Sequence, residues 1–329
     1  MDKKHAISKE NASILKGLLA VIIVCGHCRN NMTTLNNTML GMALTASGYL
    51  SVGVFFFLSG YGIETQFMLR GKGYLQSFPY SRLFKIFTVY ALAVVFYTAI
   101  NFLLFGEFSV IDFFWSFFFG RTVLAYGWYF QAILLMYLLY YISKKVFKEN
   151  GQWVGAISAV ALYVCLSVLL SPQPMLYCSA ALSFPAGVFL ARREHFLCLH
   201  KVQKVLICTG IGILFCITLL VGNLCIGPKP VWILSKIISS VLFDLLVVFA
   251  ITGLSIRCSW LTWLGKISLE IYLVQEVPMR LFRSKYMHIP NDWLYLAAVL
   301  LSAIVLAWAV HPVTDSIYRA IGKKCQHSA

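Results

Sequence analysis

Apolar residues run along this chain in blocks of about twenty, separated by short polar connections. A helix needs about 20 such residues to cross a bilayer. The pattern predicts ten crossing helices, over residues 13–29, 47–69, 83–105, 127–144, 152–170, 175–191, 204–225, 232–254, 266–283 and 292–313. The aromatic stretch Ile111-Asp-Phe-Phe-Trp-Ser-Phe-Phe-Phe119 is too short to cross and reads as an interfacial or re-entrant segment. Two polar residues mark the first block, Lys16 near its start and His27 near its end. At about 100° per residue, their separation is three turns plus about 20°, so both lie on one helix face roughly 16 Å apart. Ionisable groups at such depths are costly and point to function.

Composition sharpens this picture. Of 329 residues, 60% are hydrophobic and only 12% are charged, about half the soluble norm of roughly 25%. The fold class expected is an all-α integral membrane protein of about ten transmembrane helices. A short segment, 1–12, leads into a membrane domain, 13–313, and a tail, 314–329, with no internal repeat. Lys3, Lys4 and Lys9 precede the first block, but no small-x-small cleavage site follows, so the block reads as a retained span. The ten cysteines are scattered and form no disulfide framework.

A net charge of +15 would suit a nucleic-acid partner. The cations, however, cluster in alternate connections, which is the pattern of topology signals. They include Arg70, Lys72, Arg82 and Lys85, then Lys144, Lys145 and Lys148, then Arg192, Arg193, Lys201 and Lys204, then Arg257 and Lys266, and in the tail Arg319, Lys323 and Lys324. Both termini are therefore expected in the cytoplasm, with Lys16 near the inner surface and His27 near the outer one. Arg280, Arg283 and Lys285 break the rule by falling on the outer side.

The polar residues inside the spans are the candidate chemistry. An imidazole such as His27 titrates near neutral pH and can act as general base or nucleophile. Its plain alternative is an interfacial side chain, as Lys16 is alternatively a snorkelling anchor. Cys25-Gly-His-Cys28 lacks the second ligand pair that a metal site needs, and no metal is expected. Ser59, Gly60 and Gly62 suit close helix contact. Glu64 is placed to pair with Lys16 or to line a polar cavity. Arg82 and Lys85, three apart, share a face and suit a phosphate-bearing ligand or simple anchoring. Trp128 and Gln131 open the fourth span, and Asp244 and Glu270 lie within later ones. Glu276 lies at about the depth of His27; an ion pair with Arg280, four residues on, is its plain alternative.

These residues resemble the acyltransferase-3 family of integral membrane acyltransferases. Lys16 and His27 match its Arg-x10-His spacing, and Gly53-Val-Phe-Phe-Phe-Leu-Ser-Gly-Tyr61 is similar to its Phe-Phe-x-x-Ser-Gly segment. Arg82-Leu-Phe-Lys85 resembles its Arg-x-x-Arg segment, and Ser268-Leu-Glu-Ile-Tyr-Leu273 its late Ser-x-x-x-Tyr-Leu pattern. The resemblance implies a catalytic His27; Glu276, where it is not fully paired, is placed by its depth to orient or polarise that ring. The resemblance also implies an acyl-CoA donor, acetyl-CoA above all, held by Lys16, Arg82 and Lys85, with Ser59, Glu64, Trp128 and Gln131 shaping the passage. The acceptor implied is a hydroxyl of a cell-surface carbohydrate or its lipid-linked precursor, and the setting a bacterial plasma membrane. This chain departs from the family where Lys16 and Lys85 replace Arg, Thr88 replaces Pro, Gly53 stands at an often acidic position and Gln275 stands where many members have His. A transporter of an anionic or lipid-linked sugar, or a non-catalytic membrane sensor, are the rival readings of the same polar residues.

Overall fold

The computed structural model describes residues 7–118, 122–147, 160, 164, 181–197, 200–252 and 256–327. These are helical almost throughout; the one bridge between extended residues joins Arg283 to His288. The helices are α1 (Lys9–Cys28), α2 (Met39–Phe78), α3 (Lys85–Ile100), α4 (Val110–Trp115), α5 (Trp128–Phe147), α6 (Ser183–Arg192), α7 (Lys201–Asn223), α8 (Lys229–Ile251), α9 (Ser259–Lys266), α10 (Ser268–Val274), α11 (Glu276–Leu281) and α12 (Asp292–His327).

Among the described residues, six helical stretches are long and apolar enough to cross a membrane, and one of these, Met39–Leu104, runs for 66 residues. At 1.5 Å per residue that stretch has room for more than one passage through a core of about 30 Å. Its interruptions lie where the sequence predicts a connection. Gly71 leaves the helical region at φ 55°, and Pro79, which has no N–H to donate, opens a π-helical turn, Pro79–Phe84. That turn carries Arg82 and leads directly into Lys85. The stretch 152–170 lies almost wholly outside the described residues, and only the second half of 175–191 is described, as part of α6. The aromatic stretch after Ser109 forms only the short α4, as its length predicts.

The predicted span 266–283 is not one helix. It divides into α9, α10 and α11, with breaks at Ile267 and Gln275. Pro278 accounts for the second break, because it has no N–H for the carbonyl of Val274. Carbonyls next to the break find side-chain donors: Tyr97 Oη donates to Leu273 O (2.7 Å) and Gln275 Nε2 donates to Tyr272 O (3.0 Å). Such a break is tolerated at membrane depth only where protein surrounds it.

Glycines set α9 against α1. A Cβ on Gly265 would lie 1.9 Å from Ser13 O, and one on Gly17 would lie 2.4 Å from Leu261 O. This backbone contact brings α10 and the residue after it alongside the His27 end of α1. Gly60 similarly meets α6 at Phe184 O, whereas Gly62 faces open space. An aromatic-rich core fills the space between α1, α2, α3, α5 and α10–α12. The outward faces of α3 and α7 are apolar and exposed, for example Val95, Phe96, Leu206 and Ile213. Lipid tails are as apolar as these side chains and cover them without cost.

Candidate active site

Lys16, Ala20, Ile23 and His27 follow one another along one face of α1, at helical spacings of four, three and four. The first three line a cavity of about 360 Å³. Ser59, Arg82, Lys85, Tyr129, Tyr272 and Tyr318 contribute to its wall. A second cavity, of about 440 Å³, shares Lys16, Ser59 and Arg82 with the first. Arg82 donates through Nε to Tyr74 Oη (3.0 Å), and Lys85 Nζ sits 5.2 Å from the Tyr318 ring centroid. Among the described residues no carboxylate pairs with Lys16, Arg82 or Lys85. Two cations on shared cavity walls, without a counter-charge, make a site ready for an anion.

His27 lies at the other end of this face. Its ring stacks on Tyr126, with centroids 3.5 Å apart and planes 8° apart. Tyr272 meets it edge-on at 6.2 Å. Nδ1 is 3.1 Å from Gln275 Oε1. His27 lines neither cavity: the first ends at Tyr129 and Tyr272, whose rings are 5.2 Å apart. The cavity thus stops one aromatic ring short of the imidazole. Tyr272 also lines a small pocket on the far side, with Tyr126 and Glu276.

Glu276 faces this small pocket and a polar cleft of about 600 Å³ that also holds Arg280, Glu107 and Asp112. Its Oε2 accepts from the backbone N–H of Ala125 (2.8 Å). The carboxylate does not hydrogen-bond His27; the neighbouring Gln275 does. Nor does it form the expected ion pair with Arg280, which donates to Asn101 Oδ1 (2.6 Å) and Glu107 Oε2 (2.7 Å). Arg283, the second cation of this group, pairs with Asp292. Each of these two cations thus has an acid as its partner.

The family model described as an acyltransferase domain matches residues 11–311, nearly the whole chain and every residue of this site named above except Tyr318. The chain belongs to the acyltransferase-3 family. No curated protein and no solved structure gives a match.

Not every expected residue of this acyltransferase joins the site. Ser59 lines both cavities. Glu64 lines neither: it is fully buried, 3.0 Å from Lys144 Nζ, 2.6 Å from Arg192 Nε and 2.5 Å from Tyr140 Oη. It therefore does not pair with Lys16. Lys144, expected as a surface topology signal, is itself buried. Gln131 donates to Ser116 O (3.2 Å) and lines a separate, apolar groove between α3 and α5. Trp128 is buried in the core. A Cβ on Gly53 would meet Ser240, Ser183 and Asp244 first, not His27. Sequence reasoning missed Gln275, Tyr126, Tyr129 and Tyr272 as site residues; Pro278 was the signal that the helix breaks beside them.

The Glu64 cluster makes a separate prediction. Glu64→Gln removes the carboxylate that Lys144 and Arg192 share inside the protein. Losing one partner of a buried ion pair costs about 3–5 kcal/mol. Thermal unfolding in detergent should show a clear loss of stability, while the KM for acyl donor should not change.

Proposed function

We propose that this acyltransferase moves an acyl group, acetyl foremost, from acyl-CoA to a hydroxyl of a cell-surface carbohydrate or its lipid-linked precursor. It is read as a ten-span protein of the bacterial plasma membrane with both termini in the cytoplasm, so that the cation-lined cavities open to the cytosolic donor. The observation that carries the reading is the pair Lys16 and Arg82, with no carboxylate paired to either among the described residues, at one end of a cavity whose other end touches the ring beside His27.

In this reading the donor's phosphates rest on Lys16, Arg82 and Lys85. Its thin pantetheine arm lies along Ala20, Ile23 and Ser59, and the thioester reaches Tyr272. A shift of the Tyr272 ring then brings the thioester carbonyl to the imidazole. The acceptor enters from the polar cleft, past Glu276. His27 takes the hydroxyl proton as general base while the oxygen attacks the carbonyl carbon. The C–S bond breaks, CoA leaves as the thiolate, and the imidazole returns the proton. Glu276 stands on the acceptor side and orients the incoming hydroxyl. The test is transfer of label from acetyl-CoA to envelope glycans by the purified protein in proteoliposomes. Label on a glycan hydroxyl, located by mass spectrometry, is the expected result. Label that stays wholly on CoA, in the presence of the cell's full set of glycans, would overturn the reading.

A further inference from the structure

We infer that Gln275 is a positioning residue that fixes which nitrogen of His27 carries the proton, so that Nε2 is the reactive atom. The inference rests on the general-base reading above, but its geometry stands apart from it. Gln275 falls in the break between α10 and α11, where its side chain is held at both ends. Nε2 of the amide donates to the backbone carbonyl of Tyr272 (3.0 Å). The amide oxygen, Oε1, is then the atom left to face His27, at 3.1 Å from Nδ1. Turning the amide over would set its oxygen against the Tyr272 carbonyl, two acceptors with no proton between them. The backbone therefore dictates the amide, and the amide dictates the ring: Nδ1 must carry the hydrogen and donate to Oε1. In a neutral imidazole this leaves Nε2 with its lone pair free.

Surrounding contacts hold this arrangement in place. The Tyr126 ring, stacked at 8°, fixes the plane of the imidazole. Tyr272 Oη donates to Tyr126 O (3.0 Å), tying the stacking residue to the segment that carries Gln275. Gln275 has no measurable exposure to solvent, so its amide is shielded from bulk water. The acceptor is a neutral amide, whereas Glu276, one residue on, directs a carboxylate oxygen to Ala125. An amide orients the ring without strongly favouring its charged form. In the transfer step the acceptor's O–H bond breaks and its proton passes to Nε2. The O–C bond forms as the C–S bond breaks, and the Nε2 proton then passes to the departing sulfur. Gln275 Oε1 accepts from Nδ1–H throughout.

The tautomer is read directly by ¹⁵N solid-state NMR of the histidine-labelled protein in bilayers, the His27 signals being those lost in His27→Gln. The expected result is a protonated Nδ1 and an unprotonated Nε2; the opposite pattern would overturn the inference. Kinetics provide the second arm. Gln275→Met keeps the shape but removes the acceptor, and should lower kcat by about 10²-fold with the KM for acetyl-CoA unchanged. Gln275→Glu keeps an acceptor oxygen and should recover most of that loss. Equal damage in both variants, with unchanged thermal unfolding, would reduce Gln275 to a packing role and overturn its part in catalysis. A protein with the expected tautomer that transfers no acyl group would overturn the general-base reading and leave the tautomer assignment standing.

Discussion

His27→Ala should lower acyl transfer by about 10²–10⁴-fold, the range that a positioned general base contributes. The loss should fall on kcat. Lys16 lies eleven residues away along α1, roughly 16 Å at 1.5 Å per residue, so donor binding should be intact. Stability should fall less than activity, because the ring is lost from a stack with Tyr126 but no charge is left unpaired. Transfer of label from acetyl-CoA, compared with thermal unfolding of the same preparations, separates the two effects. Full activity in a folded His27→Ala protein would reject the imidazole as the base.

Arg82→Met should weaken donor binding by roughly 10–100-fold, the worth of a charge-assisted hydrogen bond of about 1.5–3 kcal/mol. Lys16→Met should act in the same direction, and more weakly, since an ammonium is a point charge without the guanidinium's fork. Both side chains line the same two cavities, so the double variant should lose less than the two single losses combined. The measurement is KM for acetyl-CoA, with CoA-induced thermal stabilisation as a check. Pantetheine thioesters, which lack the nucleotide phosphates, should react equally with all three variants and the parent. An unchanged KM in Arg82→Met would remove the phosphates from this end of the cavity.

The parts of this site that depend on one helix were legible in the sequence. Lys16 and His27 fall on one face by helical arithmetic, and Ala20 and Ile23 fill the face between them. The parts that depend on how helices meet were not. Lys144 lies among cations that mark a connection, yet it turns inward because α2 presents Glu64 to it. Glu276 and Arg280 have ideal spacing for an ion pair, but Asn101 and Glu107 reach the guanidinium from other segments. Gln275 was visible only as a departure from a family pattern. Its role depends on a carbonyl next to a break that hydropathy alone does not reveal, because the residues on both sides of Pro278 are apolar. Breaks of this kind are local backbone events, and an average over twenty residues conceals them.

The Tyr129–Tyr272 wall has a consequence for the cell that makes this protein. A permanently open duct through a membrane would let protons and small ions run down their gradients, and would expose a reactive thioester to water. In the proposed reaction the Tyr129 and Tyr272 rings, with centroids 5.2 Å apart, would act as a valve, parted only by the arm of the bound donor. An enzyme built in this way can be abundant in an energised membrane without discharging it.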